Sequence, residues 1–332
     1  MKILLNVLFS QGICNMDQTI KIGVSSCLLG KEVRYNGGHS HDRYITGTLG
    51  QYFTFVDVCP EVEAGFGIPR ETLRLVGDPE SPRLLTSRSG RDCTDIMLKW
   101  AQKRVKELAK ENLFGFIFKS KSPSSGMERV KVYTDKGFPG SNKGIGLFAR
   151  AFMVQFPLIP VEEDGRLHDA VLRENFIERI FALKRWRQIA EGKKSRGNIV
   201  AFHTEHKLQI MSHSYQYYRD MGRLVARLKD IPLEPLYEQY EAMFMQALTL
   251  KATVKKNVNV LQHMAGYFKK LLSRDEKQEL HEVIEQYHQN YIPLIVPVTL
   301  FNHYVRKYDQ EYLKRQHYLN PHPIELKLRN RA

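Results

Sequence analysis

Two cysteines, a carboxylate and a run of serines stand where chemistry is easiest to place in this chain. Ser25-Ser26-Cys27-Leu28-Leu29-Gly30, Cys59-Pro60-Glu61 and Ser122-Pro123-Ser124-Ser125-Gly126 each follow a short apolar run. Thiols bind soft metals, a carboxylate can move a proton, and hydroxyls can hydrogen-bond a substrate or a water. The preceding runs, Ile20 to Val24, Phe53 to Val58 and Phe114 to Phe118, are β-branched or aromatic and read as buried strands. In open α/β sheets ligands gather at the carboxyl ends of the strands, so the three segments are expected to wall one pocket.

The elements that must position this pocket follow from periodicity. Thr94 to Lys110 reads as a helix, with Ile96, Trp100, Val105 and Leu108 expected near one face. Alternating strand-like and helical runs up to about Leu158 predict an α/β domain with a mainly parallel sheet. Arg166 to Ile189 reads as a helix with Leu172, Phe176, Ile180 and Leu183 on one stripe, and Glu191 to Asn198 as a polar linker. Beyond it Phe202 to Lys229, Leu236 to Thr253, Val258 to Leu272, Asp275 to Tyr291 and Thr299 to Tyr312 are helical by period, which predicts an all-α domain. The expected bounds are an extension at 1–16, the α/β domain at 17–165, a connecting helix and basic linker at 166–198, the helical domain at 199–318 and a tail at 319–332, loosely held from Asn320.

Composition sets the class. A chain of 332 residues, 42% hydrophobic and 26% charged, is globular and long enough for two cores. No segment reaches the roughly 20 apolar residues of a membrane span, so no membrane partner is expected. Met1 to Asn15 superficially resembles a signal peptide, but Gln11 and Asn15 stand where small residues belong, and Met16 is the expected start. Four cysteines without framework spacing suit a reducing, cytoplasmic setting. The net charge is +14, and it is uneven: residues 1–165 hold 22 Lys and Arg against 18 Asp and Glu, whereas residues 166–332 hold 28 against 18. Such a surface favours a polyanion, nucleic acid first; the plainer reading is a soluble basic protein.

Several motifs together carry a family resemblance. Ser26-Cys27-Leu28-Leu29-Gly30, Val33-Arg34-Tyr35-Asn36-Gly37-Gly38-His39, Cys59-Pro60-Glu61-Val62, Gly67-Ile68-Pro69-Arg70-Glu71 and the Ser122 to Gly126 loop resemble the thiouracil desulfidase family, from about Lys21 to Leu158. Phe202 to Leu208 and Tyr218 to Val225 resemble the YbgA-type helical domain. Proteins joining the two resemble bacterial desulfidases that remove the sulfur of 4-thiouridine from transfer RNA. The resemblance implies tRNA or a thiolated nucleobase as substrate and uridine and sulfide as products. It also implies a [4Fe-4S] cluster held by three cysteines, with one iron open to the substrate's sulfur. Cys27 and Cys59 match two of those ligands, and Ser125 stands at the third cysteine's position. A hydroxyl is a harder and far less acidic ligand than a thiol, so the cluster is expected to be weak or absent unless Ser125 or Cys93 completes it. Cys93 reads first as a small core residue, and Cys14 lies outside the matched region. Glu61 is the implied catalytic carboxylate, with Ser122 and Ser124 holding the base or the attacking water. Two other readings stay open: a cluster-free RNA-binding or regulatory protein, and a desulfidase of free thiouracil.

Arg34, Lys119, Lys121, Lys193, Lys194, Arg196, Lys207, Arg219 and Arg223 are the expected RNA contacts, each of which also reads as a solvated or ion-paired surface charge. Arg34 and Arg70 can clamp a phosphate, or Arg70 can pair with Glu71. Glu61 can instead cap a turn, and Gly37-Gly38-His39 is either a loop near substrate or a simple turn. His203, His206 and His213 invite a metal, though internal hydrogen bonds or RNA contacts are favoured. Tyr215, Tyr217, Tyr218, Tyr237 and Tyr240 can stack bases, though helical spacing favours core positions.

Overall fold

The computed structural model describes residues 19–330; Cys14 and the leader-like stretch Met1 to Asn15 lie outside them. The chain divides into two compact units between Gln155 and Phe156. Among the described residues no helix is long and apolar enough to cross a membrane.

The first unit begins with β1 (Ile20–Ser25), β2 (Phe53–Val58) and the single-turn α1 (Pro60–Glu63). It continues through β3 (Leu73–Val76), β4 (Arg83–Thr86), α2 (Thr94–Leu108), β5 (Gly115–Phe118), β6 (Val130–Tyr133), β7 (Pro139–Gly144) and α3 (Leu147–Gln155). β1 lies between β2 and β5 and is parallel to both. The three strands match the three expected runs. Register pairs Ser25 with Val58 and Val24 with Ile117, so the segments after all three strands emerge at one edge. A second sheet, in the order β4-β3-β6-β7, mixes a parallel β3–β6 pair with antiparallel partners on either side.

The packing behind the first sheet is aromatic. Phe116 and Phe118 of β5 meet Phe148 and Phe152 of α3 with ring centroids 4.7–6.2 Å apart. Gly23 makes room for this, because a Cβ there would sit 2.1 Å from the Phe116 ring. β5 and α3 therefore lock together on the two sides of the serine loop. The second half of α2 buries Val105 and Leu108 as expected, but in the first half Ile96 is 47% exposed and Trp100 half-buried, and Met97 and Ala101 are buried in their place.

The second unit opens with β8 (Val161–Glu163) and is otherwise helical: α4 (Ala170–Ala190), α5 (Arg196–His213), α6 (Tyr215–Ala226), α7 (Leu233–Thr249), α8 (Val254–Tyr267), α9 (Arg274–His288), α10 (Ile295–Lys307) and α11 (Glu311–Lys314). The stripe Phe176, Ile180, Leu183 of α4 is buried as its spacing predicts. Two expectations are corrected. The helix expected over 202–229 is broken at Ser214, whose hydroxyl accepts from Tyr217 N and caps α6, a local bond that outcompetes the continuing apolar period. The tail is held rather than loose. Arg329 is buried in an ion pair with Glu174 at 3.1 Å, Ile295 N donates to Arg329 O, and Leu326 and Leu328 are buried.

Candidate active site

The three loops line one cavity of about 470 Å³, a volume suited to a small molecule or a single nucleotide's base. Cys27 sits in a one-turn helix, Ser26–Leu29, that ends at Gly30 in a left-handed conformation (φ 87°). Ser26 Oγ donates to Asp57 Oδ2 at 2.8 Å, which ties this turn to β2. Cys59 precedes α1; its backbone N–H donates to Glu63 Oε1 at 2.9 Å. Glu63 thus takes the capping task that Glu61 was free to perform, and Glu61 turns to the cavity.

Glu61 is the hub of the site. Ser124 Oγ donates to its Oε1 at 2.6 Å, and the Arg70 guanidinium lies 3.7 Å from its Oε2, both side chains being largely buried. Arg70 also donates to the Val33 and Gly67 carbonyls at 3.0 and 3.1 Å, tying two lining loops to the carboxylate. Its expected partner Glu71 instead accepts from the Arg88 and Ser89 backbone and the Ser89 hydroxyl. The Cys59 thiol points at Glu61 Oε2 (3.9 Å) and the Val33 carbonyl (3.8 Å). Burial first, and the Glu61 charge second, push this thiol up to about 12, so it keeps its proton at neutral pH.

The serine loop is built from the backbone outward. Ser122 Oγ accepts from Ser125 N at 3.1 Å and lies 3.0 Å from Ser124 Oγ. Gly126 and Gly146 permit the close approach: a Cβ on Gly146 would lie 2.5 Å from the Ser124 carbonyl, and one on Gly126 2.9 Å from the Ser122 carbonyl. Leu147, Phe148 and Ala149, at the start of α3, donate to the Pro123 and Ser124 carbonyls. Sequence reasoning missed Arg70 as a builder of the site, and Gly146 altogether; the pair Gly144-Ile145-Gly146 was the available signal.

Other expected residues separate clearly. Ser125 is buried against the cavity beside Cys27 and Cys59. Cys93 is fully buried with Leu75, Leu84, Met97 and Val132 in the second sheet's core and does not line the cavity. Two thiols and a hydroxyl do not fit a cluster held by three cysteines, and among the described residues no group of three or more His, Cys, Asp or Glu could hold a metal ion. Arg34, Lys119 and Lys121 line the cavity. Gly37, Gly38 and His39 do not; Gly37 N donates to Arg34 O in a tight turn.

In the second unit most of the expected RNA contacts have internal partners. Lys194 pairs with Glu234 and Arg223 with Asp220, Arg196 donates to the Leu228 and Ile231 carbonyls, and Lys207 lies over the Tyr312 ring. Lys193 and Arg219 are exposed. The histidines are internal: His203 Nδ1 bonds the Tyr240 hydroxyl (3.1 Å), His206 Nε2 accepts from Arg185 Nε (3.0 Å), and His213 Nδ1 donates to Leu250 O (2.6 Å). Tyr237 and Tyr240 are core residues; Tyr215 is exposed and stacks on Tyr218.

Comparison with known proteins agrees with this division. Residues 22–164 match the family of 2-thiouracil desulfurases, and residues 207–323 match a family described as a protein of unknown function (DUF1722). The uncharacterized protein YbgA of Escherichia coli is 31% identical over 153 residues, which are 46% of this chain and 90% of YbgA. The uncharacterized protein YbbK of Bacillus subtilis is 34% identical over 135 residues, 39% of this chain and 89% of YbbK. A solved structure of the [4Fe-4S]-dependent thiouracil desulfidase TudS aligns at 25% identity with a TM-score of 0.38, covering 48% of this chain and all of TudS. The chain belongs to the 2-thiouracil desulfurase family through its first half and to the YbgA-like DUF1722 family through its second.

Proposed function

We propose that the cavity desulfurises a thiolated uracil, with 4-thiouridine of transfer RNA as substrate and uridine and sulfide as products, in the cytoplasm. The observation that carries this reading is the Glu61 carboxylate, gripped by Ser124 and Arg70 and facing a protonated thiol inside a base-sized cavity. In hydrolytic desulfurisation water adds to the thiocarbonyl carbon, the C–S bond breaks, and hydrogen sulfide leaves. Both protons of the water must end on the sulfur. Glu61 takes the first and passes it to the thiocarbonyl sulfur, then takes the second from the hydroxyl of the adduct as the C–S bond breaks and gives it to the departing sulfur. Ser122 offers its hydroxyl to the ring edge, while Ser124, fully buried and outside the cavity lining, donates to Glu61 and with Arg70 holds the carboxylate in place. These steps use only this chain's own groups. TudS is described as [4Fe-4S]-dependent; here Ser125 leaves a cluster one sulfur short.

The test is sulfide release from tRNA carrying 4-thiouridine and from free 4-thiouracil, with iron and acid-labile sulfide measured on the same oxygen-free protein and on Ser125→Cys. Sulfide from the tRNA, falling steeply with added salt, is the expected result, with a cluster only in the cysteine form. Turnover of the free base alone supports the free-thiouracil reading. RNA binding without sulfide from either substrate supports the cluster-free RNA-binding protein that Ser125 favours, and activity confined to the iron-loaded Ser125→Cys form overturns the cluster-independent chemistry.

A further inference from the structure

A second cavity of about 630 Å³ adjoins the first and shares Thr72, Leu73, Lys121 and Pro123 with it. It runs along β3 and β6 of the second sheet. Its charged lining is Arg74, Lys121, Arg129 and Lys131, and among the described residues no carboxylate lines it. Arg129 pairs with its neighbour Glu128 at the rim (2.6 Å), while Arg74, Lys121 and Lys131 have no acidic partner among the described residues. Three cations that the fold does not neutralise, with Arg129 beside them, repel one another unless an anion lies among them.

Two further observations indicate what that anion is. Lys121 and Arg129, which bracket the serine loop, both adopt left-handed backbone conformations (φ 60° and 52°), an arrangement that costs energy for non-glycine residues and that clusters at binding sites. The groove also holds Ser87 and Asn142 as neutral donors and the face of Tyr133, over which Arg74 lies at 5.6 Å. Cations, neutral donors and an aromatic face in one groove are the components of a site for single-stranded nucleic acid. We propose that this groove is a track for the RNA backbone flanking the nucleotide whose base enters the Glu61 cavity. The inference rests on the desulfidase reading, since it assigns that site a polynucleotide rather than a free base. It also places RNA recognition within the α/β unit itself. Lys121, which lines both cavities, sits at the junction where the chain of phosphates passes the mouth of the base pocket.

The test compares full-length protein with two charge-matched double variants, Arg129→Gln with Lys131→Gln in the groove and Lys103→Gln with Lys106→Gln on the exposed face of α2. Binding of fluorescent 4-thiouridine tRNA is measured by anisotropy across a potassium chloride series, beside sulfide release from that tRNA and from 4-thiouracil. The side chain of Arg129 is 66% exposed, so its replacement leaves the core intact. The groove variant is expected to lose about tenfold or more in affinity and about 2 in the slope of log K against log salt, and the α2 variant less than about threefold. Equal loss in both variants reduces the effect to net charge and overturns the track, as does an unchanged slope in the groove variant or a wild-type protein that binds no tRNA. Sulfide release with an unaffected groove variant leaves the desulfidase and removes the track; weakened RNA binding with no sulfide from any substrate keeps the track and removes the desulfidase.

Discussion

The Glu61 site and the buried polar network of the helical unit use the same residue types to opposite ends. In the network, Glu178 accepts from Gln209 at 2.7 Å and lies 3.5 Å from His213, while Arg329 holds Glu174 and the Tyr318 carbonyl. Burial alone would raise the Glu178 carboxyl, but His213 and Arg329 overcome it and hold it well below its usual range. These charges are matched to one another. Around Glu61 the partners are the Ser124 hydroxyl, the Cys59 thiol and one guanidinium that is itself tied to loop carbonyls, and the carboxylate keeps a face on a cavity. A buried charge matched within the protein fixes a fold; a charge held by loops at the edge of a cavity remains available for a ligand.

The sharpest way to break this comparison is Glu61→Gln. It keeps the Ser124 contact and removes the base, so sulfide release should fall by about 10²- to 10⁴-fold with little change in the melting curve. Retained turnover would move the chemistry elsewhere. In the helical unit Arg329→Leu leaves Glu174 buried without its cation and should cost about 3–5 kcal/mol in chemical denaturation. A near-neutral result would mean the network is not a structural one. Gly146→Ala drives a Cβ against the Ser124 carbonyl and should cost about 1–3 kcal/mol while slowing turnover, and a neutral outcome would show that the serine loop yields.

The smallest effect is a response to pH with opposite sign in the two units. Burial pushes His203 and His322 down to about 4 and His317 down to about 3, from 6.5. The unfolded chain therefore binds protons that the helical unit refuses. Stability from these groups is complete above about 6.5 and is lost as pH falls below it, by at most about tenfold in the opening equilibrium per pH unit and group. Cys59 works in reverse: its thiol keeps a proton to about 12 when folded but releases it near 8.5 when unfolded, so the first unit weakens as pH rises above about 8.5. Segment-resolved hydrogen exchange should show α5 and α7 losing protection toward acid and β1 and β2 toward alkali. A common response in both units would dissolve the contrast.

Local signals were legible in the sequence and long-range ones were not. The three strands that aim the pocket were readable because each is a short apolar run with a turn after it, and α4 because its stripe is strictly helical. In α2 the expected face holds at Val105 and Leu108 but lies one residue off at Ile96 and Trp100, because the small Ala101, rather than a large side chain, marks the close contact. The break at Ser214 was written in its N-cap residue but hidden beneath an unbroken apolar period. Gly146 and Arg329 act on residues far away in the chain, on Ser124 and Glu174, and Arg70 binds the Val33 carbonyl 37 positions back as well as the nearer Glu61; no local pattern reports such partners. The walls holding Cys27, Cys59, Glu61 and Ser122 followed from the apolar runs and the turns after them, and the family motifs added Arg34 and Arg70.

The serine loop is clamped by main-chain bonds from α3 to its carbonyls, by the Ser122 hydroxyl inside the loop and by two glycines. Its shape consequently does not depend on a metal or ligand pulling it closed. A mould of this kind can exchange the group at position 125 between sulfur and oxygen without recasting the pocket, so one substitution can change the soft-ligand chemistry of the site while its contour for a base persists.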